Sequence, residues 1–255
     1  MLKRIIPVLL LSGKGLVKTR GFSDPKYVGD AINAVRIFSE KEVDELVFLD
    51  IGATKCNREP NYDLIKAIAS EAYMPFAYGG GVKTLRQAEE ILKNGAEKII
   101  INNAFLSNNS EISQMVREFG SQSVVICIDV KKNLIGKYKI FDHKTGKTSA
   151  ESFMDYLKKC HDIGFGEVII QNVDLEGNMA GYDLKLIELA RKNISMPLVI
   201  LGGAGSYDDL KKAFKAGADA AAAGSLFIFY GKYRAVLITY PDSKQIKRIL
   251  NYEMC

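Results

Sequence analysis

The chain of 255 residues has no tryptophan, two histidines and four cysteines. Cys56, Cys127, Cys160 and Cys255 show no Cys-x-x-Cys spacing, so neither a zinc site nor a disulfide framework is expected. His143 and His161 give a histidine triad or metal centre little to draw on. His161 falls in an amphipathic helical pattern, and His143, in the polar stretch FDHKTGK, reads as a hairpin tip rather than a ligand. Neither a metal nor a cofactor is expected. No apolar run approaches the roughly 18 residues of a membrane span. The opening MLKRIIPVLLLSGKG carries a short apolar stretch with no small-residue cleavage pattern after it, which reads as a buried first strand and a cytoplasmic protein. The 35 basic residues are interspersed with 30 acidic ones, so the net charge of +5 forms no basic block of the kind nucleic acid requires. A mildly basic mouth for a phosphorylated small molecule needs no more.

What is present is a repeat. Met74 to Phe105 and Met196 to Phe227 align without a gap at an offset of 122 residues, sharing a Met-Pro entry, two loop glycines, a lysine, a Gly-Ala pair and a final Phe. Each copy reads as strand, glycine loop, helix, strand. A glycine cluster at a helix start exposes backbone N–H groups where a phosphate is well held, and two such loops half a chain apart imply two phosphates on one ligand.

Apolar runs of strand length recur at 4–11, 45–51, 75–78, 98–102, 123–130, 167–172, 197–201 and 219–223, with helical patterns at 30–41, 62–72, 84–94, 110–119, 150–163, 182–192, 206–216 and 243–251. Runs that are apolar on both faces and separated by helices fit a buried parallel sheet. Eight such units in about 250 residues match an α/β fold of the (β/α)8 TIM-barrel type, and the repeat suits two half-barrels closing one domain over 1–255. The alternation alone leaves a doubly wound open sheet as the alternative. The first loop, 12–29, is long enough to act as a lid, and the fifth, 131–149, looks like an inserted hairpin.

In a barrel the C-terminal strand ends face the ligand. The candidates for the first phosphate are Gly80, Gly81, Asn102 and Asn103, and for the second Gly202, Gly203, Gly224 and Ser225. Asp129 closes the run VVICID, where a carboxylate emerging from an apolar interior suits acid–base work. Asp50, Gln171 and Asn172 complete the strand-end set.

The segments KRIIPVL, VDELVFLDI, the glycines 79–81, FGSQSVVICID, VDLEGNMAGYD and GGAG resemble, in order and over nearly the whole chain, the HisF family of cyclase subunits of imidazole glycerol phosphate synthase. The resemblance implies a barrel paired with a glutaminase, HisH, in a heterodimer. Ammonia passes along the barrel axis to a face where two aspartates help convert a phosphoribulosyl formimino carboxamide to imidazole glycerol phosphate and an aminoimidazole carboxamide ribotide. Asp129 matches one of those aspartates; Leu10 stands where the other is expected. Gln171 and Asn172 replace small hydroxyl residues, Glu176 replaces an aspartate and Leu201 a serine, whereas Lys18 matches a family lysine.

At the other end of the strands, Arg4, Glu45, Lys98 and Glu167 match the family's charged ring at the ammonia gate, and Gln122 matches another residue of that face. An intact ammonia face under an altered catalytic face, with the tail GKYRAVLITYP, is similar to the WbuZ-type branch associated with glycosyl amidation. For that branch the resemblance implies a HisH-like glutaminase and a separate ATP-dependent sugar amidotransferase as partners, the barrel serving as conduit.

Overall fold

A computed structural model describes residues 2–250; Cys255 and the last residue of the expected 243–251 helix lie outside them. Among the described residues, eight parallel strands form the barrel: β1 (Arg4–Ser12), β2 (Leu46–Asp50), β3 (Phe76–Gly79), β4 (Lys98–Ile101), β5 (Val124–Lys132), β6 (Glu167–Asn172), β7 (Leu198–Leu201) and β8 (Ala220–Ala223). The sheet closes because β8 pairs with β1, Arg4 opposite Ala220, which removes the open-sheet alternative. The helices α1 (Ala31–Glu40), α2 (Tyr62–Ala69), α3 (Leu85–Lys93), α4 (Asn109–Phe119), α5 (Phe153–Ile163), α6 (Leu184–Arg191), α7 (Tyr207–Lys215) and α8 (Ser243–Leu250) follow the strands in turn. Short helices, Asn103–Ser107 and Ser225–Ile228, follow β4 and β8.

The repeat is structural, residue for residue. Strands β3 and β7, helices α3 and α7, and strands β4 and β8 have the same lengths, and their first residues stand at the offset seen in the sequence. Both helices open on a capping box, Thr84 with Gln87 and Ser206 with Asp209, in which side chain and backbone satisfy each other's free groups.

Alternation along the strands divides the core in two. Outward-facing residues such as Phe48, Ile126 and Ile170 pack with Phe38, Phe105, Tyr156 and Phe227 beneath the helices. Inward-facing Ile6, Val8, Leu10, Val47, Ala77, Ile100, Val125, Cys127, Ile169, Val199, Leu201, Ala220 and Ala222 form a separate apolar bore. At about 1.5–3 kcal/mol per large buried apolar side chain, the outer layer carries most of the hydrophobic stabilisation.

Two connections carry hairpins. In the 12–29 loop, Gly15–Arg20 and Ser23–Asp30 form a hairpin that extends β1, Leu10 pairing with Val17. Its turn at Gly21-Phe22 has positive φ at both residues, 56° and 65°, the geometry that matches strand twist in two-residue hairpins. The α5 helix begins at Phe153 rather than near Ala150, because Lys147–Ser152 is the return strand of a second hairpin with Tyr138–Asp142. Ser152 then caps the helix by accepting from the Met154 N–H. Each half-barrel thus carries a hairpin on its first strand.

Candidate active site

The C-terminal strand ends surround a cavity of about 610 Å³. Gly80, Gly81, Asn102, Asn103, Asp129 and Gln171 all lie on its wall, with Leu10, Asp50 and the hairpin residues Phe22 and His143. Inward parity explains who points in: Asp129 follows Val125 and Cys127, and Leu10 follows Ile6 and Val8. Strands β1 and β5 start the two half-barrels, so Leu10 occupies the half-turn equivalent of Asp129. The mouth therefore has one acid at this level where symmetry offers two places.

Asp129 is buried, and its Oδ2 accepts from Asn102 Nδ2 at 3.0 Å. The same oxygen lies 3.1 Å from His143 Nδ1. Its Oδ1 has no partner. His143 stands at the hairpin tip, as the sequence reads, and that tip reaches the cavity wall. Asp142 holds it there: despite burial, which would raise it, hydrogen bonds from Thr145, the Lys144 N–H and Asn103 keep the Asp142 carboxyl below the usual carboxylate range. The hairpin tip is thereby latched to the end of β4. His161 lies on α5, its Nε2 3.2 Å from Ser195 Oγ in an exposed contact.

Asp50 and Asn172 have the opposite parity. Asp50 Oδ1 accepts from Gly52 and Ala53 N–H groups, each at 3.0 Å, and lies 3.3 Å from Arg58 Nη2. Asn172 Oδ1 accepts from the Leu175 N–H at 3.2 Å and is absent from the walls of both recesses described here. They are repeat-related anchors of the loops that the glycines press against. A Cβ on Gly80 would lie 2.5 Å from the Asp50 carbonyl oxygen, and one on Gly202 2.5 Å from that of Asn172. With φ of 125° and 94°, both positions require glycine.

The second glycine pair lines a separate recess of about 30 Å³, with Gly224, Ser225 and Gln171. Lys18 points into it: its Nζ donates to the Val8 carbonyl at 2.7 Å and lies 2.4 Å from where a Gly224 Cβ would stand. Burial pushes the Lys18 ammonium down to about 8, against the attraction of Glu176. Glu176 accepts from Thr19 Oγ1 at 2.9 Å and the Phe22 N–H at 3.2 Å, tying the first hairpin to the loop after β6.

At the opposite end, Arg4 donates to both Glu45 and Glu167. Lys98 Nζ reaches the same two carboxylates at 2.8 and 3.3 Å. The four form a closed ring of alternating charge, all on the inward parity of their strands, directly beneath the apolar bore. Burial alone would lower the Arg4 pKa, but Glu167 and Glu45 hold it above its ordinary value. Gln122 is exposed in the turn before β5. Among the described residues no helix is long and apolar enough to cross a membrane, and no cluster of three or more His, Cys, Asp or Glu side chains could hold a metal ion.

A family profile described as histidine biosynthesis protein matches residues 4–234. A Pseudomonas aeruginosa protein provisionally named imidazole glycerol phosphate synthase subunit hisF2 is 47% identical over 245 residues, 96% of this chain and 98% of its own length. A Vibrio vulnificus protein with the provisional name hisF3 subunit is 46% identical over 249 residues, 97% and 96% of the two chains. Imidazole glycerol phosphate synthase subunit HisF of Dictyoglomus thermophilum is 38% identical over 244 residues, 95% and 94% of the two chains. With its barrel, its half-barrel repeat and this similarity over nearly the full length, the chain belongs to the HisF family of imidazole glycerol phosphate synthase subunits.

Proposed function

We propose that this chain is the synthase subunit of a glutamine-dependent complex: a HisH-like glutaminase docks on the charged ring, and ammonia crosses the bore to the 610 Å³ cavity. The carrying observation is the contrast along one axis. The ring of Arg4, Glu45, Lys98 and Glu167 is complete and closed, whereas Leu10 leaves the mouth with a single inward carboxylate at the level of Asp129. An apolar bore fits a small neutral solute, since it offers no hydrogen bonds to ions or ordered water.

The product of that delivery is amidation of a surface-glycan or flagellar sugar, with a separate ATP-dependent amidotransferase, rather than closure of an imidazole ring. Loss of one of two acid–base groups is worth on the order of 10² to 10⁴ in rate, which disfavours the cyclase reaction. The phosphate-binding role is assigned to Gly80, Gly81, Asn102 and Asn103 in the cavity, and to Gly202, Gly203, Gly224 and Ser225 around Lys18 in the smaller recess. The test is complementation of a histidine auxotroph lacking its own cyclase, alongside copurification with a co-expressed glutaminase. The expected result is a stable heterodimer without growth; growth comparable to that with an authentic cyclase would establish the alternative, a true cyclase of histidine biosynthesis.

A further inference from the structure

Asp129, His143 and the cavity wall between them supply chemistry that the conduit role does not use. Asp129 is a buried carboxylate whose Oδ2 accepts the Asn102 amide hydrogen, so it meets the imidazole as an acceptor and Nδ1 carries the shared hydrogen. That leaves Nε2 as a free lone pair on a ring that lines the 610 Å³ cavity. The ring is fixed from several sides. Phe22 of the first hairpin meets it edge-on at 6.5 Å between centroids, and the neighbouring Asp142 is bonded to Asn103, Lys144 and Thr145. A buried carboxylate that sets a tautomer, and a partly buried imidazole on the wall of a pocket, form the arrangement in which histidine works as a general base and acid.

We propose that His143, positioned by Asp129, is the acid–base group for a phosphorylated ligand in this cavity. Its Nε2 removes a proton from a ligand N–H, O–H or C–H. The resulting imidazolium is balanced across 3.1 Å by the Asp129 carboxylate, and the same nitrogen returns the proton to a ligand oxygen, so the pair ends each cycle as it began. Asp129 is a positioning residue in this scheme and does not itself transfer the proton. The inference rests on the cavity being a ligand site, part of the reading above, but not on the source of nitrogen or on any partner.

The experiment uses the free full-length chain carrying His161→Gln, which leaves His143 as its sole histidine. Nitrogen-15 spectra of the labelled imidazole report the tautomer, and diethyl pyrocarbonate reports the reactivity of Nε2. The expected result is the Nδ1–H form, which gives way to the common Nε2–H form in Asp129→Leu, where no acceptor remains, together with about a tenfold slower carbethoxylation. Ribose 5-phosphate, as the probe ligand, is expected to protect the ring from the reagent. Asp129→Leu is close in size and removes both acceptor oxygens; should it fold poorly, Asn102→Ala frees Oδ2 for the ring and must keep the Nδ1–H form. An Nε2–H tautomer in the Asp129-containing chain, reactivity indifferent to Asp129, or no protection by the sugar phosphate would each overturn the proposal. Because no glutaminase is present, failure to find a docking partner leaves these outcomes unchanged.

Discussion

The two ends of the barrel are built on opposite principles. At the underside, four charged side chains from four strands neutralise one another in a closed ring, and every carboxylate oxygen of Glu45 and Glu167 has a cation within reach. At the mouth, polar groups are left incomplete: Asp129 Oδ1 and Asn103 Oδ1 are buried without partners, and Lys18 is an ammonium whose attracting carboxylate, Glu176, is itself engaged with the first hairpin. A satisfied network fixes a shape, while unsatisfied groups are what a ligand can complete. The difference locates rigidity below and chemistry above.

The comparison breaks most readily at the ring. Arg4→Ala leaves two buried carboxylates sharing Lys98, and the expected loss is about 3–5 kcal/mol in urea unfolding, the range for an ion-pair network deprived of one partner. A loss comparable to that of a surface charge would erase the contrast between the ends. At the mouth the sign reverses. Lys18→Met removes a buried charge, and a gain of about 3 kcal/mol is expected at neutral pH.

The pH dependence sharpens this second prediction. With Lys18 lowered to about 8 in the folded chain from 10.5, the unfolded chain holds a proton that the folded chain has released between those values. Stability of the unmutated protein therefore rises with pH across that window, and its deficit against Lys18→Met closes by about pH 10.5. Parallel stability curves for the two proteins would show that Lys18 is not buried as a cation.

Smaller effects separate anchors from actors within the mouth. Asp50→Asn keeps an acceptor for the Gly52 and Ala53 N–H groups, so a cost of about 1 kcal/mol is expected by calorimetry. Arg58→Ala removes a partly exposed partner 3.3 Å from that carboxylate and is expected to change stability by less than about 1 kcal/mol.

Strand-end position alone placed Asp50, Gln171, Asn172 and Asp129 together, because a sequence shows where a strand stops more clearly than which face its last residue takes. In the barrel, counting from the inward residues Val47 and Ile169 sends Asp50 and Asn172 away from the axis, and brings Gln171 in. His143 was hidden for a different reason. A polar turn reads as solvent-facing, and nothing local indicates that its hairpin folds back until the tip meets Asp129, 14 residues earlier in the chain.

The amino-acid sequence by itself determined the succession of strand-helix units and the half-barrel repeat. Each of these is written in local periodicity, or in an offset that survives any folding geometry. Tertiary structure alone decided that Lys18 fills the smaller recess, that Asp50 and Asn172 hold loops, and that His143 shares a hydrogen bond with Asp129. The outcomes for Lys18 and His143 depend on how the two hairpins extending β1 and β5 bend over the mouth, a direction set by packing between segments far apart in the chain, and those for Asp50 and Asn172 depend on which face of the barrel the strand end turns to the axis.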